Sequence, residues 1–163
     1  MDRFKFGGLK DNPDYYVDET TQRMIYTHRR LLSSLASQLC AEGKKDKALN
    51  VLTLAETELP SSIVPHEFFS GTEMGKTYID LGETDKARAI LSSIADEQVE
   101  YINWYAGMSK RSFARVFNSV RMSAMCLQNV VEIFEGGGKE YHDLAIKYDK
   151  EFERLYNLMR KHL

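Results

Sequence analysis

No stretch of this sequence approaches the roughly 20 consecutive apolar residues that a membrane-spanning helix requires. The first residues, Met1-Asp2-Arg3-Phe4-Lys5-Phe6-Gly7-Gly8, lack the continuous apolar segment of a secretory signal. The chain as given is therefore expected neither to insert into a membrane nor to carry its own export signal. Strong charge of either sign is missing too. With 22 Lys and Arg against 24 Asp and Glu, the net charge of −2 offers no general attraction to nucleic acid or to an anionic surface. Cysteine is scarce: Cys40 and Cys126 each lie in the middle of an apolar-periodic segment. They read as buried free thiols packing as small hydrophobes, and a disulfide would need their two helices to touch. Cysteine usage thus leaves the compartment open. No segment shows the period-two alternation of a strand.

The usual chemistry-bearing patterns are incomplete. His66-Glu67 begins a zinc-protease helix motif, but position 70 is Ser70, so the second ligand is missing and the pair reads as a helix start. His142-Asp143 has no Cys or second His nearby to make a metal set. In Gly136-Gly137-Gly138-Lys139 the first glycine is misplaced for a phosphate loop, and Glu140 stands where a magnesium-binding Ser or Thr would be. No serine lies in a G-x-S-x-G elbow. Neither a catalytic residue nor a metal or cofactor site is expected.

What the chain does contain is a repeat. G-x-x-D-K-A-x-x-x-L occurs at Gly43, Asp46, Lys47, Ala48, Leu52 and again 39 residues later at Gly82, Asp85, Lys86, Ala87, Leu91. Upstream, Leu35, Ala36 and Leu39 align with Met74, Gly75 and Tyr78. Self-similarity at such a period signals stacked helical hairpins, which bind more often than they catalyse.

Periodicity extends this to six helices in three hairpins, about 18–59, 65–107 and 110–163, in one domain behind a polar and aromatic arm over residues 1–17. The arm's Phe4, Phe6, Tyr15 and Tyr16, and its turn signals at Gly7-Gly8 and Asn12-Pro13-Asp14, predict an irregular segment laid on the domain. Asp18 or Thr20 is suited to cap the first helix, whose expected inward residues are Met24, Ile25, Leu31, Leu32, Leu35, Ala36 and Leu39. Gly43 ends it, and Lys45 to Glu58 forms the second helix, with Ala48, Val51, Leu52 and Ala55 inward. Pro65 suits the first turn of the third, which stops at Gly82. The fourth, capped by Thr84, continues through Ile102 and Tyr105 to about Gly107. The fifth carries the stripe Phe113, Val116, Phe117, Val120, Ala124, Leu127, Val131 and Phe134, and Gly136-Gly137-Gly138 breaks it. The sixth presents Tyr141, Leu144, Ala145, Tyr148, Phe152, Leu155, Tyr156 and Met159.

The spacing inside each copy resembles the tetratricopeptide repeat, in which small residues allow the two helices of a hairpin to approach closely. Ala36, Leu39, Gly43, Ala48, Leu52, Ala55 and Pro60 fit the first repeat; Gly75, Tyr78, Gly82, Ala87 and Leu91 fit the second. The period is 39 rather than about 34, and the third hairpin lacks the motif, as terminal repeats often do. The resemblance implies an all-α, right-handed superhelix. A second resemblance starts from Phe4-Lys5-Phe6-Gly7-Gly8-Leu9, Tyr16-Val17-Asp18-Glu19 and Arg23-Met24. These segments are similar to a stretch in large multi-spanning membrane proteins of Bacteroides-type bacteria related to protein O-mannosyltransferases. There the stretch opens a soluble C-terminal region of tetratricopeptide type. That likeness implies a noncatalytic interaction domain, tethered through a membrane portion outside this chain, with the periplasm as the implied compartment. A free-standing cytosolic peptide-binding adaptor, or a glycan- or anion-binding accessory domain, remains the alternative.

Grooves of this kind are lined by the first helix of each hairpin, which points to Arg30, Ser33 and Ser37 and to Phe69, Thr72, Lys76 and Asp80. For the carboxylate clamp of that family only Lys76 matches. The most distinctive charge pattern lies elsewhere. From Tyr101 to Val131 there is no Asp or Glu, while Lys110, Arg111, Arg115 and Arg121 are present. Arg111, Arg115, Asn118 and Arg121 or Met122 share one side of the fifth helix. Either they receive a carboxylate, a phosphate or an acidic peptide, or they pair with acids such as Asp80, Glu83 or Glu132. Trp104 and Tyr105 are either an aromatic plug for the third hairpin or an exposed patch. The expected partner is a protein or peptide, with no nucleic acid.

Overall fold

The computed structural model describes residues 6–12, 14 and 16–161. Phe4, Pro13 and Tyr15 of the expected arm lie outside the described residues. Among those described the chain is all-helical: α1 (Glu19–Ala41), α2 (Lys45–Glu58), α3 (Phe68–Leu81), α4 (Thr84–Ala106), α5 (Lys110–Gly136) and α6 (His142–Arg160), with single 3-10 turns at Leu9–Asp11 and Lys139–Tyr141. The chain divides into two compact units, residues 1–90 and 91–163, so the boundary falls within α4.

In the first unit the repeat is reproduced bond for bond. α1 closes with Gly43 at φ 75°, and α3 with Gly82 at φ 80°. Around Gly43, the Lys44 N–H donates to the Leu39 carbonyl and the Gly43 N–H to Cys40; around Gly82, Glu83 donates to Tyr78 and Gly82 to Ile79. This is the paired closure that satisfies carbonyls left open at a helix end, and a left-handed residue is required for it. Ala36, Ala48 and Leu52 are fully buried, as is Ala87. α1 packs against both α2 and α3, and the small residues at these crossings let the backbones approach.

Asp18, not Thr20, caps α1, accepting from the Thr21 N–H at 2.8 Å. Pro65 is not in the first turn of α3. Glu67 caps that helix, its carboxylate accepting from the Phe69 and Ser70 N–H groups. The inward side of α1 is also rotated from expectation: Ile25, Arg29, Ser33 and Ala36 are buried, whereas Met24 is 56% and Leu31 65% exposed, and Leu35 is exposed too. The residue that turns the helix is Arg29. Its guanidinium is fully buried and donates to the carbonyls of Leu59, Val64 and Pro65 at 2.6–3.2 Å. It thereby ties α1 to the irregular segment after α2. Beside it, Leu9 of the arm packs with Ile25, Leu59 and Val64, so the described part of the arm is laid on the unit as expected.

In the second unit, α5 and α6 pack together around a ring stack, with the Phe134 centroid 6.1 Å from Tyr141 and 5.9 Å from Tyr148. The Tyr148 hydroxyl donates to Asp96 of α4 at 2.9 Å. Ser109 caps α5. Phe113, Val120, Leu127, Val131 and Phe134 are buried as expected, joined by Ser123, Val130 and Ile133, but Phe117 is exposed. The buried stripe drifts around a helix of 27 residues, because 3.6 residues per turn does not hold a seven-residue stripe straight. α6 begins at His142 after the 3-10 turn; Ala145, Tyr148 and Leu155 face inward, while Tyr156 is exposed. Cys40 and Cys126 are free and only half-buried; burial pushes the Cys126 thiol up from its ordinary pKa.

Candidate functional site

The side of the first unit formed by α1 and α3 carries most of the residues expected to line a groove. Arg30 on α1 reaches across to Glu67, with N–O distances of 2.9 and 3.3 Å, and its guanidinium carbon lies 4.8 Å from the centroid of the Phe69 ring. Phe69 remains 58% exposed. A large aromatic ring held under a cation yet open to solvent is an anchor of the kind that binding surfaces favour. Burial opposes ionisation of Glu67, but the Arg30 bond and two backbone N–H groups hold its carboxyl below the usual range. One turn along α1, the Ser33 and Ser34 hydroxyls both donate to Glu73 of α3, at 3.0 Å. Lys76 is exposed at the next turn of α3, with no ion pair among the described residues, and Ser37 is half-buried opposite it on α1.

Two of the expected lining residues are not available to a ligand. Ser33 is fully buried, shared between the Arg30 carbonyl and Glu73. Thr72 is buried with its hydroxyl donating back to Phe68. Ser33 lies in the seam between α1 and α3, where its bond to Glu73 crosses from one helix to the other, and the Thr72 hydroxyl is committed to carbonyls of its own helix. Glu67 and Glu73, which organise this side, were absent from the expected set. Spacing did not mark them: Glu67 stands just outside α3 as its cap, and Glu73 six residues on shares no helical face with it.

A cavity of about 650 Å³ lies on a different side of α1, between it, α2 and the arm. Phe6, Leu31, Leu32 and Leu54 supply apolar walls and His28 lies among them; the Phe6 and His28 rings meet edge to face at 6.0 Å. A Lys10–Glu58 ion pair at 2.5 Å borders it. The described arm residues therefore contact the Ile25, His28 and Leu32 side of α1 and leave the Arg30, Ser34 and Ser37 side to α3.

In the second unit, Arg111, Arg115, Asn118 and Arg121 are all exposed on α5. No ion pair among the described residues involves these arginines, and Glu132 of the same helix bonds instead to the Gln128 amide at 3.5 Å. Trp104 is 64% exposed, its ring tilted against Tyr105 at 5.1 Å; it is a surface residue and not a plug. Among the described residues no group of His, Cys, Asp and Glu is placed to hold a metal, and no helix is long and apolar enough to cross a membrane. Comparison with models of protein families, with curated proteins and with solved structures finds no significant match.

Proposed function

We propose that this chain is a noncatalytic helical-repeat domain of tetratricopeptide type that holds a protein partner against the α1/α3 side of its first unit. The observation that carries the reading is the paired closure at Gly43 and Gly82 with the same donors and acceptors 39 residues apart. A unit that turns identically twice and packs first helix on first helix is built by stacking, and stacking leaves a preformed side with little ordering cost on binding. A right-handed superhelix is the arrangement such stacking favours. The exposed Phe69 under Arg30 is the anchor, with Lys76 and Ser37 bordering it. As the residues of the arm suggest, the domain serves as an extramembrane module appended to a membrane glycosyltransferase-like protein.

The binding reading is tested by presenting the chain to peptide and glycan arrays alongside a Phe69→Ala/Lys76→Glu variant. Peptide binding that weakens at least about tenfold in the variant supports it. Glycan binding alone, or peptide binding indifferent to both substitutions, refutes it. The appended-module reading is tested on the gene: a frame running upstream through several membrane spans supports it. A frame extended on neither side refutes it and leaves the free-standing adaptor.

A further inference from the structure

Among the described residues of the second unit, two helix sides carry opposite charge with no ion pair to either. On α4, Glu97, Glu100, Tyr101 and Trp104 recur at three- and four-residue intervals and so share one side. Tyr101 and Trp104 are among the exposed large hydrophobic residues. The bonds Glu97 makes are to neutral groups, the Tyr101 hydroxyl at 3.3 Å and the Gln98 amide at 3.4 Å. No ion pair among the described residues reaches Glu97 or Glu100. Burial, with the Glu100 charge adding to it against the Tyr101 bond, raises the Glu97 carboxyl above its ordinary pKa. On α5, Arg111, Arg115, Asn118, Met122 and Met125 form an exposed stripe at i, i+4, i+7, i+11 and i+14, flanked by Arg121 and the exposed Phe117.

The two sides match in chemistry and in spacing. Glu97 to Trp104 and Arg115 to Met122 each span seven residues, about 10 Å at 1.5 Å per residue. Laid parallel, carboxylates meet guanidinium groups at one end and aromatic rings meet thioethers at the other, both favourable pairings. Trp, Tyr, Met and Arg are the residues enriched where protein interfaces are buried.

We propose that two copies of this chain associate about a two-fold axis, the Glu97–Trp104 side of α4 in each receiving the Arg111–Met125 side of α5 in the other. Two-fold symmetry makes the contact twice, as a self-complementary interface requires. The inference concerns a different surface from the α1/α3 side and stands whether or not that side has a partner.

The test is sedimentation of the full chain from micromolar to millimolar concentration at low and high salt, with Trp104 emission followed in parallel. Expected are a dimer that weakens as salt rises and a blue shift of the single tryptophan on dimerisation. Arg111→Glu/Arg115→Glu and Glu97→Lys/Glu100→Lys are each expected to weaken the dimer at least about tenfold. Mixing the two variants is expected to restore it, because both contacts in the mixed pair then join opposite charges. Circular dichroism confirms that each variant is folded. A monomer at every concentration overturns the proposal, as does a dimer indifferent to both reversals or a mixture that fails to recover. A monomer that binds acidic peptides or anionic vesicles through these arginines also overturns it, assigning α5 to another partner.

Discussion

In the first copy of the repeat the second helix stops at Glu58, and the chain runs irregularly from Leu59 to Glu67 before α3 begins. In the second copy the helix passes the corresponding position, Glu97, without interruption and continues to Ala106. The difference is already present one helix earlier. Arg29 of the first copy corresponds, 39 residues on, to Phe68. An irregular exit exposes backbone carbonyls that a helix would have satisfied, and buried carbonyls need donors. Arg29 supplies them to Leu59, Val64 and Pro65. Where the helix runs on, the carbonyls are bonded within it and no buried cation is required. The common turn and the divergent exit thus have separate causes, one in a glycine and one in a buried cation.

Breaking the exit of the first copy should have the largest effect. Arg29→Ala strands three carbonyls in the interior and is expected to cost about 3–5 kcal/mol by urea denaturation, with faster amide exchange across α1 to α3. An equally stable variant would show that the exit does not depend on the clasp. Next comes His66, on the same irregular segment, 8% exposed with its Nδ1 unbonded in the structure. Burial, then the Arg29 charge, pushes its pKa from 6.5 down to about 4. The unfolded chain therefore binds the proton first as pH falls. Stability should be unchanged above about 6.5 and decline by up to about 3 kcal/mol on the way to about 4. His66→Gln should flatten that slope, which a pH series of denaturation midpoints will show.

The turns give the smaller effects and the sharper contrast. At Gly137 an added Cβ would lie 2.7 Å from Cδ2 of the buried Tyr141 ring, so Gly137→Ala should cost about 2 kcal/mol through overpacking. At Gly43 and Gly82 a Cβ meets nothing within 4 Å; only the left-handed backbone opposes it. Gly43→Ala and Gly82→Ala should each cost about 1 kcal/mol, and by the same amount. Unequal losses in thermal denaturation would mean that the two closures are not equivalent.

These contrasts also explain what could be read from the residues alone. Glycines with positive φ and alanines at crossings are local requirements, so the turn at Gly43 and Gly82 and the burial of Ala48 and Ala87 follow from sequence. Arg29 does not announce itself: an arginine on an amphipathic helix reads as solvent-facing, and its partners are carbonyls 30 to 36 residues away. Missing it misplaced Leu31 and Leu35, because Arg29 and Ser33 hold the inward positions. Pro65 suggested a helix start, yet its carbonyl is committed to Arg29 and Glu67 provides the cap. Of the candidate site, Phe69, Lys76 and the α5 arginines were legible from periodicity and the local absence of acids. Ser33 and Thr72 were not, since a hydroxyl's choice between seam and surface depends on the neighbouring helix.

Because the clasp grips main-chain oxygens, the identities of Ser61 and Ser62, both exposed, are of no concern to it. That short bend is accordingly a place where a dye, a spin label or a foreign epitope can be installed while the rods on either side keep their spacing.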